Sequence, residues 1–219
     1  VTINGKWPGQ PQQCLTFENP CLTLAERAEG KYVLENKTYQ PKFTFCFVGR
    51  LEDEKGVQRI IDAFSAFEPI NDYVEKVYFI GNGAKRESYE QQVKTKKLPI
   101  QFHGFLSRTE VFDIYRTAHF LLLPSTASEG FPKVIAEGMN YGCIPIVSDV
   151  SSIGQYINTK NGFIVNPTTA EKLESILHEL KRIDQLKLRG KAFKAYQVAE
   201  NFTFARYNER IWTEILEQE

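Results

Sequence analysis

Cysteine is scarce in this sequence of 219 residues, and its spacing excludes the common cysteine-based sites. No C-x-x-C pair of the kind typical of zinc sites or redox motifs is present. The four cysteines are Cys14, Cys21, Cys46 and Cys143. Cys46 lies inside an apolar run, which indicates a buried free thiol. This usage fits a reducing compartment, so we expect a cytoplasmic protein.

An excess of charge of either sign is also missing. Lysine plus arginine and aspartate plus glutamate both number 27, so the formal net charge is zero. Nucleic-acid-binding proteins usually carry a basic excess, so we expect no nucleic-acid partner. No apolar run approaches the roughly 20 residues that span a bilayer, and the first residues lack the pattern of a signal peptide. We therefore expect no transmembrane segment.

Residues 1–40 differ in composition from the remainder of the chain. Several glycines and prolines interrupt this segment: Gly5, Pro8, Gly9, Pro11 and Pro20. The pattern predicts a short strand at 1–3 and a helical turn or two at 22–28. We interpret residues 1–40 as a linker or interdomain remnant, because such breakers are typical of connecting segments.

From residue 43 onward, apolar runs with strand character alternate with amphipathic stretches of helical spacing. The predicted strands cover 43–48, 77–80, 100–102, 119–123, 144–147 and 162–165. The predicted helices cover 56–67, 85–96, 107–118, 131–141, 169–182, about 184–200 and 204–217. Glycines mark the strand ends, and Ser107 with Glu110 forms a capping box.

This alternation predicts an α/β fold, a doubly wound parallel sheet of about six strands with helices on both faces. We assign 41–200 to one Rossmann-like domain and 201–219 to a C-terminal helix. Ligands bind such sheets outside the carboxyl ends of the strands. All candidate loops of this sequence lie at that edge.

The stretch 125–138 is the first candidate site. It joins a strand to a helix through a loop that contains Gly130 and Pro132. Unpaired backbone N–H groups and the helix dipole favour anions at such a corner. The carboxylates of Glu129 and Glu137 suit hydroxyl groups. A ligand with both phosphates and hydroxyls, such as a nucleotide sugar, fits this combination.

The two carboxylates also suggest a glycosidase, which needs a pair of acids. Retaining glycosidases hold their carboxyl groups about 5–5.5 Å apart and inverting ones about 6.5–9.5 Å apart. Glu129 precedes the helix and Glu137 lies nearly two turns inside it. The helical rise then separates their backbones by roughly 9–12 Å. A retaining pair is disfavoured and an inverting pair is marginal.

Three further loops carry candidate residues. Arg50 and Lys55 follow the first strand and suit phosphate oxygens, although the acids between them also fit an ordinary mixed-charge loop. Gly81-Asn82-Gly83 permits either close ligand approach or a simple turn, and it is neither a dinucleotide fingerprint nor a P-loop. Residues 103–105 could hold a base, although His103 is more typical of a sheet edge. His119 and His178 are assigned structural or solvated positions.

Together these motifs resemble the donor-binding half of the retaining, nucleotide-sugar-dependent glycosyltransferases that have two facing Rossmann-like domains, the GT-B fold of glycogen synthase-like enzymes. The resemblance covers about 43–167. Its motifs are Phe47-Val48-Gly49-Arg50 with Lys55-Gly56, Phe79-Ile80-Gly81-Asn82-Gly83, Phe102-His103-Gly104-Phe105, Glu129-Gly130-Phe131-Pro132 with Glu137, Gly142-Cys143-Ile144-Pro145-Ile146-Val147, and Asn161-Gly162-Phe163-Ile164-Val165.

The resemblance implies a role for each matching residue. Arg50 and Lys55 bind the donor diphosphate and stabilise the leaving group, Glu129 contacts the transferred sugar, and Glu137 binds the ribose. Backbone amides from Phe131 to Val134 line the sugar and phosphates, and the loop from Gly104 to Leu106 holds the base. The implied donor-binding residues are Gly49, Gly81, Asn82, Gly83, Gly104, Phe105, Leu106, Ser125, Gly130, Phe131, Pro132, Lys133, Val134 and Glu137.

The resemblance also implies a UDP- or GDP-sugar donor, a sugar, glycan or lipid-linked acceptor, and no metal or other cofactor. Enzymes of this kind have an N-terminal domain that binds the acceptor, and residues 1–40 contain no strand–helix series that could form it. Either the chain is a fragment of a longer enzyme, which we favour, or its partner half is a separate polypeptide. We expect the chain to be nearly inactive alone, with any peripheral attachment to the inner membrane face residing in the missing domain. A nucleotide-sugar epimerase and a non-catalytic binding module remain alternatives, whereas a nicotinamide-dependent oxidoreductase lacks its three-glycine turn.

Overall fold

A computed structural model describes residues 1–128 and 130–217. The strands are β1 Thr2–Ile3, β2 Leu15–Thr16, β3 Phe43–Val48, β4 Val74–Ile80, β5 Ile100–Gly104, β6 Phe120–Leu123, β7 Ile144–Ser148 and β8 Phe163–Val165. The helices are α1 Leu24–Asn36, α2 Val57–Ala66, α3 Ile70–Tyr73, α4 Arg86–Thr95, α5 Arg108–Thr117, α6 Lys133–Asn140, α7 Ala170–Leu180, α8 Gln185–Ala199 and α9 Phe204–Ile211.

The main sheet has six parallel strands in the order β5-β4-β3-β6-β7-β8. Counted from β3 along the chain, this is the third-second-first-fourth-fifth-sixth order of doubly wound folds. The predicted fold class is confirmed. Because the strand order reverses between β3 and β6, the loops that follow these two strands flank the topological switch point. Ligands of open α/β sheets bind there.

The strands of the sheet centre are apolar along their whole length because helices cover both faces. Every residue of β3 up to Phe47 is buried, and so is every residue of β6. The Phe45 ring lies 5.1 Å from the rings of both Phe64 on α2 and Phe120 on β6. Cys46 is fully buried as a free thiol, as predicted.

Helix α1 is longer than the one or two turns predicted at 22–28, and that prediction was wrong. The helix has 13 residues and begins with a capping box between Thr23 and Glu26 that the sequence already contained. Tertiary contacts extend it, because Arg27 is buried and donates hydrogen bonds to Asn140 (2.8 Å) and Glu200 (2.9 Å). The predicted capping box of Ser107 and Glu110 is confirmed at the start of α5.

Residues 1–40 pack against the sheet domain along much of their length. The Tyr39 hydroxyl, which is buried, donates to the Gly142 carbonyl at 2.6 Å. Lys37 lies deeper, and its ammonium group donates to the carbonyls of Tyr115 (2.8 Å), Ala118 (2.7 Å) and Tyr141 (2.6 Å). The domain boundary at residue 41 remains a prediction. These contacts show that the segment before it is bound tightly to the domain.

Replacing Lys37 by methionine should destabilise the protein by about 2–4 kcal/mol. The three acceptors lie at the C-terminal ends of α5 and α6, where the helix dipoles are negative, and methionine would leave them buried without a donor. Urea denaturation at pH 7 measures the loss. Lys31→Met is the control, because Lys31 is exposed and 4.0 Å from Glu35. A Lys37→Met protein as stable as the Lys31→Met protein would contradict this role.

Candidate functional site

The loops that follow β3 and β6 are bound to each other at the switch point. The Glu54 carbonyl accepts hydrogen bonds from the Thr126 N–H (2.7 Å) and the Ser125 hydroxyl (3.0 Å). Gly56 has a φ of +93°, and a Cβ there would lie 2.4 Å from the Pro124 carbonyl oxygen. Ser125, a predicted donor-binding residue, is thus buried and occupied in joining the two loops.

A divided cleft opens at this edge of the sheet, with Val48, Gly49 and Arg50 as the wall that both halves share. One half is a cavity of about 270 Å³ whose lining is mostly apolar. Its other lining residues are Ile80, Gly81, Phe105, Leu106 and Val111. The second half has about 240 Å³ and is completed by Lys55, Leu123, Pro132 and Val134. The cleft therefore brings together eight of the predicted site residues, which come from the segments that follow four different strands.

Two cations contribute to the smaller half of the cleft. The Arg50 side chain is 63 % exposed and its guanidinium lies 3.2 Å from the Glu52 carboxylate. Lys55 is only 9 % exposed, which is unusual for a lysine. Glu129, the third residue predicted to be catalytic, lies outside the described residues. A cleft with a buried lysine and an exposed arginine at its wall suits an anionic ligand.

The Gly81-Asn82-Gly83 turn allows close packing of the protein backbone. The Gly81 N–H donates to the Gly104 carbonyl (2.7 Å), and the Asn82 carbonyl accepts from the Leu51 N–H (2.9 Å). A Cβ on Gly81 would lie 2.0 Å from the Gly49 carbonyl oxygen, and one on Gly83 would lie 2.3 Å from that of Leu51. Of these three residues, Gly81 lines the cleft. Asn82 and Gly83 hold the loops that follow β3 and β4 together.

The N-terminus of α6 divides its amides between the protein and the cleft. The Gly130 N–H donates to the Ser151 hydroxyl (2.8 Å), and the Phe131 N–H donates to the Asn4 side chain (3.1 Å). Within residues 1–128 and 130–217, the N–H groups of Lys133 and Val134 have no hydrogen-bond acceptor. The anion corner predicted at this loop is therefore narrower than 131–134, and its open amides are the last two.

The Phe131 side chain does not line the cleft. Its ring is buried and stacks on Phe202 at 4.3 Å, with Tyr156 at 5.0 Å. These contacts anchor the loop to the C-terminal part of the domain. Phe105 has the opposite environment, because it lies at the mouth of the larger cavity and is 81 % exposed. An exposed aromatic ring beside an apolar cavity offers a surface for stacking a planar ligand.

Glu137 lies on the second turn of α6 and is 14 % exposed. Its carboxylate lies 3.6 Å from the Arg108 guanidinium, which also pairs with Glu26 at 3.2 Å. Burial raises the pKa of Glu137, and the charge of Arg108 opposes that rise. The linings of the two cavities do not include Glu137. The carboxylate therefore lines neither cavity, and it pairs with Arg108.

The structural roles predicted for two histidines agree with the structure. His119 is half-buried between the rings of Tyr39 and Phe43, and its Nδ1 accepts from the Thr44 N–H at 2.9 Å. Burial lowers the pKa of His119 to about 4, so it is neutral at physiological pH. His178 lies on α7, 3.4 Å from Glu174 and against Phe67.

Sequence reasoning missed three residues that shape the site: Asn4, Arg108 and Ser151. Asn4 and Gly5 form a turn signal that was assigned to the linker, and Arg108 follows directly on the capping serine. Their spatial partners lie far away in sequence, Asn4 being 127 residues from Phe131. Only the fold brings such pairs together.

A depression of about 560 Å³ is lined by Glu171, Glu174, Ser175, His178, Glu179 and Arg182, all from α7 and the turn after it. Among the described residues, no three histidine, cysteine, aspartate or glutamate side chains are grouped to hold a metal ion. No helix in this part of the chain is long and apolar enough to cross a membrane.

Comparisons with known proteins agree with this geometry. Among curated proteins, the glycogen synthase of Aquifex aeolicus is 26 % identical over 153 residues, which are 68 % of this chain and 31 % of that protein. The 2-deoxystreptamine N-acetyl-D-glucosaminyltransferase of Niallia circulans is 34 % identical over 111 residues, 49 % of this chain and 27 % of that protein. The chain therefore spans about a third of the length of the curated relatives it matches.

Solved structures share the fold. HepE of Anabaena, determined with UDP and glucose, superposes with a TM-score of 0.74 at 21 % identity, over 96 % of this chain and 58 % of that one. The C-terminal domain of the glycosyl transferase group 1 protein LpcC of Francisella tularensis gives a TM-score of 0.65 at 22 % identity, over 85 % of this chain and 96 % of that one.

The sequence model of one family covers most of the chain, including all the strands of the main sheet and both halves of the cleft. It is described as "Glycosyl transferases group 1" and matches residues 32–195. The chain belongs to the glycosyl transferases group 1 family.

Proposed function

We propose that this chain is the donor-binding half of a retaining glycosyltransferase. It binds a nucleoside diphosphate sugar and, together with an acceptor-binding domain, transfers the sugar to an acceptor hydroxyl. The observation that carries the proposal is the divided cleft, in which an apolar cavity and a cationic one share the wall formed by Gly49 and Arg50. A ligand with an aromatic base at one end and a diphosphate next to it has this distribution of chemistry.

Each part of the donor then has a place in the cleft. The base occupies the cavity lined by Phe105, Leu106 and Val111. The diphosphate lies between Arg50, Lys55 and the open N–H groups at the start of α6. Helix N-termini and guanidinium groups both favour phosphate oxygens. UDP is the first donor nucleotide to test, since the structurally similar HepE was determined with it.

The chemistry follows from the charges around the diphosphate. As the bond between the anomeric carbon and the phosphate oxygen breaks, negative charge grows on the leaving diphosphate. Preorganised cations and N–H groups stabilise that charge more strongly in the transition state than in the bound donor. The acceptor hydroxyl attacks the oxocarbenium-like sugar from the face that the diphosphate leaves, so configuration is retained. The proton of the attacking hydroxyl passes to an oxygen of the leaving diphosphate. Glu129 contacts the transferred sugar, and no metal is required.

Calorimetric titration of the chain with UDP, GDP and ADP tests the proposal. We expect one of the three to bind, and its nucleoside alone to bind more weakly, because the cationic half of the cleft contributes only through the phosphates. Inorganic diphosphate is the control for charge without a base. Absence of heat with all three nucleotides and their sugar derivatives would exclude the proposed site.

Glu137→Gln should weaken UDP binding about 10- to 100-fold. In the proposed complex the Glu137 carboxylate accepts hydrogen bonds from the ribose hydroxyls, and hydrogen bonds to a charged group are stronger than those to a neutral amide. The affinity for 2′-deoxy-UDP should fall less. Glu90→Gln is the matched control, since Glu90 also pairs with an arginine, Arg86, at 2.7 Å on a helix outside the cleft. Equal losses for the ribose and deoxyribose ligands would contradict the assignment of Glu137 to the ribose.

The raised pKa of Glu137 predicts a second measurable difference between this variant and the unmodified chain, in the pH dependence of UDP binding. Because burial raises that pKa, the ionised carboxylate forms only at a higher pH than for an ordinary glutamate. UDP affinity of the unmodified chain should therefore rise as the pH increases through the raised pKa, and the Glu137→Gln protein should lack this rise. The same shift means that ionised Glu137 lowers stability above that pH. The variant should consequently unfold no more easily than the unmodified chain at pH 7.

A further inference from the structure

Residues 1–17, here called the N-terminal arm, lie beside the loop and first helical turn at residues 130–134. This segment, at the N-terminus of α6, is the anion corner. Strands β1 and β2 pair in parallel within the arm. The Gln155 side chain exchanges two hydrogen bonds with the Lys6 backbone, at 2.8 and 3.0 Å. Near the other end of the arm, the Arg210 guanidinium donates to the Thr16 carbonyl at 2.7 Å. The arm therefore has a fixed position on the domain.

Asn4 is the residue of the arm that reaches the α6 corner. Its side-chain oxygen accepts two hydrogen bonds, from the Phe131 N–H at 3.1 Å and from the Ser152 hydroxyl at 3.0 Å. The Trp7 indole N–H donates to the Asn4 backbone carbonyl at 2.9 Å. Gly5 has a φ of +80°, and a Cβ there would lie 2.7 Å from the Ser152 Cβ. The turn after Asn4 is thus shaped for this close approach.

The bond from Asn4 determines which amides of the corner remain open. Gly130 has a φ of +71°, and its N–H is already bound by Ser151. Asn4 binds the next amide, and proline follows. The first N–H groups without an acceptor in the described part of the chain are then those of Lys133 and Val134, at the cationic half of the cleft. Without Asn4, the Phe131 peptide could rotate and the start of α6 would lose its fixed orientation.

We propose that Asn4 is a positioning residue for the donor diphosphate. It acts through the Phe131 peptide, which it holds so that the N–H groups of Lys133 and Val134 point into the cleft. This inference rests on the proposed function, because the diphosphate is the ligand that those groups receive. The opposite arrangement, in which Asn4 occupies the place of a phosphate, predicts that removing Asn4 strengthens binding.

The test compares the whole chain with its Asn4→Ala variant in two measurements. Calorimetry should show UDP binding about 3- to 10-fold weaker in the variant. This loss corresponds to the net free energy of one hydrogen bond, here the one that orders the site. Ligand-detected NMR should show uridine binding unchanged, since only phosphate contacts depend on the corner. Amide hydrogen exchange should become faster at Phe131. A variant that binds UDP as tightly as, or more tightly than, the unmodified chain would overturn the proposal.

Two further variants separate this role from general damage to the fold. Asn4→Asp retains the acceptor, so exchange at Phe131 should stay slow, whereas its added charge should weaken UDP binding most at low salt. Fast exchange in this variant would contradict the acceptor argument. Ser152→Ala removes only the other donor to Asn4 and should bind UDP like the unmodified chain. If the unmodified chain binds no nucleotide, the proposed function fails, while the exchange data still report whether Asn4 holds the loop.

Discussion

Replacing Lys55 or Arg50 by alanine should lower turnover of the complete enzyme by about 10²- to 10³-fold, the loss typical of removing one group that stabilises developing negative charge. Lys55 is the stronger candidate of the two, because it is only 9 % exposed and its charge is therefore less screened by water than that of Arg50. Both residues line the cationic half of the cleft. Their loss should affect kcat more than KM, because the charge on the leaving diphosphate is largest in the transition state.

Single-turnover kinetics of the complete enzyme with a saturating donor separate this effect from weaker binding. Lys85→Ala is the matched control. Lys85 lies on the neighbouring loop, pairs with Asp53, is 59 % exposed and is not among the residues that line the cleft. The Lys85→Ala substitution removes one positive charge from the same edge of the sheet as Lys55→Ala does. If Lys55→Ala and Lys85→Ala reduce turnover equally, the loss comes from the general electrostatic potential at this edge of the sheet, and Lys55 is not a leaving-group stabiliser.

The fold class and the edge of the sheet that holds the cleft could be predicted because they depend on local patterns. Apolar runs that end in glycine mark the carboxyl ends of buried strands, and parallel strands with helical crossovers can only be doubly wound or closed. Gly49, Gly81 and Gly104 all lie where these patterns placed them, at one edge of the sheet. The assignment of Leu106, Pro132 and Val134 to the donor site came instead from the family resemblance.

The individual contacts within the site could not be predicted, because they depend on side chains distant in sequence. No local pattern indicates that Asn4 binds the Phe131 amide, or that Arg108 holds Glu137. The same reason explains why α1 was underestimated, since the buried pairing of Arg27 with Asn140 stabilises a helix of weak amphipathic character. The role of Glu129 remains a prediction from the family resemblance.

Gly81→Ala should lower the free energy of unfolding by roughly 2–4 kcal/mol and abolish UDP binding. The residue has a φ of +128°, which alanine adopts only with strain. Its new Cβ would lie 2.0 Å from the Gly49 carbonyl oxygen, so the loop after β3 must move. Gly49 and Arg50 form the wall common to both cavities, and their displacement would separate the base pocket from the cations. Stability and binding should therefore be lost together.

Gly190→Ala is the control that makes this result interpretable. Gly190 lies inside α8, and apart from the adjacent backbone of the helix itself, an added Cβ would have no neighbour within 4 Å among the described residues. Since alanine favours helices over glycine, this variant should gain about 0.5–1 kcal/mol and bind UDP normally. Urea denaturation and calorimetry on both variants give the comparison. A Gly81→Ala protein as stable as the unmodified chain would mean that the loops after β3 and β4 are not packed backbone to backbone. The arrangement described for the wall shared by both cavities would then be wrong.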